Sequence, residues 1–212
     1  MKTVAVTGPV CGGKSTLAGL LVARGGTLVD ADRLGHEVLE QTPVREALAG
    51  EFGAGILANG RIDRGKLGDL VFADDRALAT LNRLTHPPLA ALIDARLEEL
   101  AQADPGVLAV LEAAVYFLLP IRHTVDLVVT VTAEREVRLQ RLQDRSGMGE
   151  DAAAARVAAQ ASLFSAWNRA DLVIVNDGSP SELEAAVLSI LDRLGTGDPP
   201  PSPRFDPDQK AG

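Results

Sequence analysis

Apolar and polar positions along the chain alternate between short unbroken apolar runs and longer stretches with helical spacing. Val4-Ala5-Val6, Val107–Leu111, Leu127–Val131 and Leu172–Val175 are nearly continuous in apolar residues, the pattern of strands buried on both faces. Thr27-Leu28-Val29 reads as a further short strand, ending at Asp30-Ala31-Asp32. Helical spacing follows the first strand at Leu17–Val22, and helices are also predicted over Lys66–Phe72, Asp75–Leu84, Leu89–Ala101, Glu134–Arg145, Glu150 to about Ala170, and Glu182–Leu194. Asp32 stands where a helix should start, with Leu34, Val38 and Leu39 on its apolar side. Strands alternating with helices predict a five-stranded parallel α/β sheet flanked by helices.

The interval from Thr42 to about Asp104 shows helices and turns without a strong strand. Asn59-Gly60 marks a tight turn, and His86-Pro87-Pro88 is expected to separate the helices on either side of it. A helical block of this length between two strands predicts an insertion of about 33–104 into a core formed by 1–32 and 105–195. From Gly195 the composition turns to Gly, Pro, Ser and Asp, so 196–212 is expected to be a disordered Pro-rich tail. Each predicted strand ends at a polar or glycine-containing junction. In open α/β sheets the ligand lies at that carboxyl edge, so Gly8–Lys14, Asp30 and Asp32, Glu112 and Asn176 are expected to meet there.

Composition narrows the partners. The 212-residue chain carries a formal charge of −8, which repels nucleic acid unless a local basic patch exists, and none of any length is evident. No apolar stretch approaches the roughly 20 residues needed to cross a bilayer. The chain enters a strand almost at once, leaving no room for a signal peptide. One cysteine makes no internal disulfide. These features predict a cytoplasmic protein, monomeric or a small homo-oligomer, without nucleic-acid or membrane partners.

The chemistry is concentrated after the first strand. Gly8-Pro9-Val10-Cys11-Gly12-Gly13-Lys14-Ser15-Thr16 keeps the G-x-x-x-x-G-K-S spacing between an apolar strand and a helix. Glycines let successive backbone N–H groups turn toward one anion, and the helix N-terminus adds its positive dipole end. This is a nucleoside triphosphate loop, in which Lys14 reaches the β- and γ-phosphates and the Ser15 hydroxyl holds Mg²⁺. Pro9 has no N–H to donate, so the loop relies on its later amides and Lys14. Cys11 beside a helix start is either an oxidisable thiol or a small residue that suits the turn.

Further segments follow in a fixed order: Val29-Asp30-Ala31-Asp32, Phe52-Gly53, Gly60-Arg61-Ile62-Asp63-Arg64, Leu81-Asn82, His86-Pro87, Arg141 with Arg145, Gln160, and Ala170-Asp171 with Asn176-Asp177-Gly178. Together with the glycine loop they resemble the dephospho-CoA kinase family from about Lys2 to Leu194. The resemblance implies a P-loop NTPase fold with a helical CoA-binding insertion and a small helical lid at about 138–160. It also implies transfer of the ATP γ-phosphoryl group to the ribose 3′-hydroxyl of dephospho-CoA, with ATP and Mg²⁺ required. Asp32 matches the family's catalytic base, and its other reading is a helix N-cap. Arg141 and Arg145, four apart on one helix, match lid arginines over the triphosphate; the alternative is a solvated basic face shared by Arg135, Arg138, Arg141 and Arg145.

In the same way Asn176 matches the segment lining the adenine pocket, with plain turn chemistry as the alternative. Arg64 matches a contact to a CoA phosphate, against an ordinary Asp63–Arg64 surface pair. His86 matches the family's His-Pro, against a helix-end histidine with a satisfied ring. Glu112 ends the central strand where a carboxylate would hold a magnesium-bound water. Two segments depart from the family pattern: Pro9-Val10-Cys11 fills the loop, and Ala113-Ala114-Val115 replaces a Pro-Leu-Leu turn. The competing readings are a P-loop kinase of another small acceptor (nucleoside, nucleoside monophosphate or sugar acid) and a non-catalytic nucleotide-binding regulator. A guanine-specific switch would carry an Asn-Lys-x-Asp stretch, which does not occur.

Overall fold

Val4, Ala5 and Val6 are fully buried, as are Val110, Leu111, Val129 and Val131. Strands enclosed on both faces need no polar alternation, which is why these runs are apolar throughout. The structure, a computed structural model, describes residues 1–160, 163–178 and 180–196. In chain order the elements begin with β1 (Lys2–Thr7), α1 (Lys14–Ala23), β2 (Gly26–Asp30), α2 (Ala31–Glu40), α3 (Thr42–Phe52), β3 (Leu57–Ala58), β4 (Arg61–Ile62), α4 (Arg64–Phe72) and α5 (Asp75–Ala103). They continue with β5 (Leu108–Glu112), β6 (Leu127–Thr132), α6 (Arg135–Ser146), α7 (Glu150–Ala158), α8 (Phe164–Trp167), β7 (Leu172–Val175) and α9 (Pro180–Thr196).

The chain forms two compact units: residues 1–29, 97–117 and 124 onward, and residues 30–96 with 118–123. The first unit holds the sheet, in the order β2-β5-β1-β6-β7. β1 runs parallel to β5 and β6, and β6 parallel to β7, with Val4 beside both Val110 and Leu127. Leu17, Ala18 and Leu21 of α1 and Leu183, Val187 and Ile190 of α9 share one core with Val4, Val6, Val110, Val129 and Val131. Register brings the ends of β5, β1 and β6 to one edge, where Val6 lies beside Glu112 and Thr7 beside Thr130.

The second unit departs from the sequence reading in two places. A two-stranded hairpin occurs where no strand is expected: Leu57 pairs with Ile62 and Ala58 with Arg61. Asn59 (φ 51°) and Gly60 (φ 75°) are both left-handed, as the two-residue hairpin turn requires. Strands of two residues have no periodicity to read, so only the turn is visible in sequence. The second departure is at Pro87 and Pro88, which lie inside α5 rather than between two helices. Each interior proline removes one N–H from the ladder, at a cost of about 3 kcal/mol or more. Leu89, Ile93 and Leu97 beyond the break are all buried, each contributing about 1.5–3 kcal/mol. Burial of that apolar face offsets the two missing hydrogen bonds.

The helix expected from Glu150 to about Ala170 is also interrupted. α7 stops at Ala158, and α8 begins at Phe164. At the other end of the chain α9 runs on to Thr196, and the tail from residue 197 lies outside the described residues.

Candidate active site

The glycine loop is shaped by what surrounds it. Gly8 has φ 132°, and a Cβ there would stand 2.2 Å from the Val131 carbonyl oxygen on β6. Gly13 has φ 111°, and its Cβ would stand 2.2 Å from Asn176 Nδ2. Gly12 is buried, and a Cβ on it would lie 2.5 Å from the same Val131 oxygen. These contacts press the loop against the ends of β6 and β7, where no side chain fits. Cys11 holds φ 58°, a conformation costing a non-glycine residue about 1 kcal/mol or more. Pro9 donates nothing, but its carbonyl accepts from Gly12 N at 3.2 Å and from Lys14 Nζ at 2.9 Å.

The loop ends at an uncapped helix. No side chain caps α1, and its first backbone bond is Leu17 N to the Gly13 carbonyl at 3.0 Å. First-turn N–H groups of such an end have no intrahelical acceptor and suit an anion. Ser15 and Thr16 lie exposed in that turn. The Ser15 hydroxyl donates to Glu112 Oε1 at 2.6 Å, joining the end of β5 to the loop. A hydroxyl and a carboxylate side by side are hard oxygen donors that fit Mg²⁺, which takes one or two protein oxygens and completes its shell with water and phosphate.

Three side chains from later in the chain tie the loop down. Asn176, 9% exposed, donates from Nδ2 to the Gly12 carbonyl at 3.0 Å, and its own N–H donates to Thr132 O at 2.7 Å. Arg141 Nη2 donates to the Asn176 carbonyl at 2.9 Å and Nη1 to the Cys11 carbonyl at 3.4 Å. Gln160 accepts from Val10 N at 2.8 Å. Gln160 is just past the end of α7, so the helix break places its amide on the loop. Its contact with the loop is not assigned from sequence, since nothing local to Gln160 points to residue 10.

The arginines of α6 do not share one face. Arg138 is 2% exposed, donates from Nε to the Ala133 carbonyl at 2.9 Å and lies 5.5 Å from the Phe164 ring centre. It therefore does not belong to a solvated basic face, and burial holds its guanidinium below the usual arginine range. Arg145 is exposed and Arg135 pairs with Glu136 at 3.6 Å. Arg141 alone among these four bonds to the loop.

Within the second unit, the cap of α2 is Asp30, whose carboxylate accepts from Arg33 N at 3.0 Å. Asp32 is exposed in the first turn, and its carboxylate has no hydrogen-bond or ion-pair partner among the described residues. The capping reading of Asp32 is thus replaced by capping through Asp30. Asp63 caps α4 by accepting from Gly65 N and Lys66 N at 3.1 and 3.2 Å, and its ion pair, at 3.9 Å, is with Lys66 rather than Arg64. Arg64 instead lines an open cavity of about 520 Å³. His86 is half-buried and hydrogen-bonded to the backbone of Leu118; burial pulls its pKa below the usual histidine range.

Replacing Gly13 with alanine is expected to break the Asn176–Gly12 bond and to cost about 1–3 kcal/mol in backbone strain. Thermal unfolding with and without ATP·Mg²⁺ checks this. The wild type should gain stability with nucleotide, and the variant should lose most of that gain.

Comparison with known proteins adds the family. The family model described as dephospho-CoA kinase matches residues 2–182. A dephospho-CoA kinase of Leifsonia xyli subsp. xyli is 38% identical over 184 residues, covering 86% of this chain and 93% of that protein. One from Thermobifida fusca is 36% identical over 197 residues, covering 92% and 96%. Among solved structures, a Thermus thermophilus protein superposes with TM-score 0.72 at 30% identity, covering 91% of this chain and 97% of that one. At 14% identity a shikimate kinase from Acinetobacter baumannii, covering 93% of this chain and 94% of its own, shares the fold with TM-score 0.52. With its nucleotide loop, five-stranded parallel sheet and a family match spanning both units, the chain belongs to the dephospho-CoA kinase family.

Proposed function

We propose that this enzyme transfers the γ-phosphoryl group of ATP to the ribose 3′-hydroxyl of dephospho-CoA, giving coenzyme A and ADP. The observation that supports this most directly is the continuous family match over residues 2–182, which takes in the loop, the helical segment and the arginine of α6. In the reaction the 3′-oxygen forms a bond to the γ-phosphorus while the bond to the β–γ bridging oxygen breaks, and ADP leaves with that electron pair. The hydroxyl proton passes to the Asp32 carboxylate, an exposed acid without a structural partner among the described residues. Lys14 exchanges its bond to Pro9 for the β- and γ-phosphates, and the amides of the Gly12–Thr16 segment hold the same oxygens. Arg141, held on the Cys11 and Asn176 carbonyls, brings its charge to the triphosphate without leaving them, with Arg145 next on the helix.

Ser15 and Glu112 are the residues that would hold Mg²⁺, which neutralises charge on the phosphate oxygens. Asn176 borders the adenine, Arg64 meets an acceptor phosphate, and His86 holds the segment beginning at Leu118. The helical insertion at about 33–104 takes the acceptor, and 138–160 serves as the lid. A single cysteine, a charge of −8 and the lack among the described residues of any helix long and apolar enough to cross a membrane fit a cytoplasmic enzyme of small-molecule metabolism.

ADP formation with ATP·Mg²⁺ tests the reading, using dephospho-CoA beside adenosine, AMP and gluconate. Turnover confined to dephospho-CoA is the expected result. Turnover with another acceptor would keep the kinase and replace its substrate, and nucleotide binding without turnover would favour a regulator.

A further inference from the structure

In a chain of net charge −8, Arg33, Arg61 and Arg64 converge with His36 on one cavity of about 520 Å³ in the helical unit. Arg33 lies in the first turn of α2, Arg61 on the hairpin strand β4, and Arg64 at the start of α4. Two carboxylates share the cavity. Glu37 is 3.6 Å from Arg33 and 3.8 Å from Arg96. Glu40 accepts from Arg61 Nε at 2.8 Å, and the same contact holds its carboxyl below the usual range. That bond uses only the inner nitrogen of the guanidinium. Both terminal nitrogens remain on the outer edge of the fork, the edge that binds two phosphate oxygens at once.

We infer that this cavity is a diphosphate-binding site, in which Arg61, oriented through Nε by Glu40, takes the 5′-diphosphate of the acceptor in bidentate fashion between Arg33 and Arg64. The inference rests on the reading of dephospho-CoA as acceptor, whose adenosine carries such a diphosphate. Arg61 is a specificity residue and Glu40 a positioning residue that sets its plane. The hairpin has a purpose in this arrangement: its tight turn returns the chain so that β4 presents Arg61 opposite the last residue of α2. An ordinary surface tether between β4 and α2 would place the same two side chains together. It would not gather two further arginines and a histidine around them.

Steady-state kinetics and a direct probe separate these cases. Arg61→Gln is expected to raise the KM for dephospho-CoA about tenfold or more, the scale of a lost charged hydrogen bond, while the KM for ATP stays within about twofold. Arg61→Lys keeps the charge without the fork and should recover only a fraction of the loss. For the direct probe, inorganic pyrophosphate is titrated into the Lys14→Met protein, whose nucleotide loop is disabled, and the His36 ring resonances are followed. A shift of the His36 signals that disappears in Lys14→Met/Arg61→Gln supports the site. Absence of any shift overturns it, and so does a lowered melting temperature in Arg61→Gln with both KM values unchanged. If the wild type phosphorylates dephospho-CoA and either of these holds, the cavity inference fails and the acceptor stands. If dephospho-CoA is no substrate while the Arg61-dependent shift persists, the acceptor reading fails and the diphosphate site stands.

Discussion

Lys14→Met is expected to lower kcat/KM for the transfer about a thousandfold, or roughly 4 kcal/mol of transition-state stabilisation. The loop offers no replacement for this cation. Its first internal position is Pro9, without an N–H, and the glycines on either side are confined against Val131 and Asn176. Arg141 cannot move into the gap without giving up the Cys11 and Asn176 carbonyls that fasten the loop to β7. In the wild type Lys14 Nζ is held 2.9 Å from the Pro9 carbonyl, so the ammonium is positioned before nucleotide arrives. Methionine keeps the length of the side chain and removes the charge, so the fold should survive with a melting temperature close to the wild type. Single-turnover kinetics with saturating ATP·Mg²⁺ checks the prediction, and a loss below about tenfold would remove Lys14 from the transition state.

Asp32→Asn is expected to reduce kcat about a hundredfold or more with little change in the KM for ATP, as loss of a general base would. The structure separates this effect from stability. Asp30 caps α2 through Arg33 N, while the Asp32 carboxylate is exposed. Asp32→Asn should therefore shift stability by no more than about 0.5 kcal/mol, the usual range for a surface substitution. Asp30→Ala, two residues away, should cost about 1 kcal/mol of stability through the lost cap. Urea titrations beside the kinetics check the pair. A destabilised Asp32→Asn would return that residue to a structural role.

What could be read from the sequence was local chemistry. The loop was legible because glycine spacing, a lysine and a hydroxyl residue act through the backbone they sit on, and so was the hairpin turn at Asn59-Gly60. The central strands were legible because burial on both faces leaves an unbroken apolar run. Glu112 could be placed at the edge that carries the glycine loop because a parallel sheet sends its strand ends to one side; the contact with the Ser15 hydroxyl at 2.6 Å came from the structure.

Other features were decided by packing between segments distant in sequence. Arg138, Arg141 and Arg145 are spaced by three and four on α6 and look alike in sequence. Packing buries Arg138 against Phe164, turns Arg141 to the loop and leaves Arg145 in solvent. Gln160 meets Val10 across 150 positions, which no local pattern encodes. The unbroken α5 belongs here too, since two prolines argue against it locally and the burial of Leu89, Ile93 and Leu97 decides for it. The nucleotide loop and the parallel sheet could be read from the chain because both depend on backbone geometry and periodic burial. Packing settled which arginine bonds to the loop, which aspartate caps α2 and which stays exposed. Those choices turn on side-chain direction and desolvation, and both are set only when the elements pack.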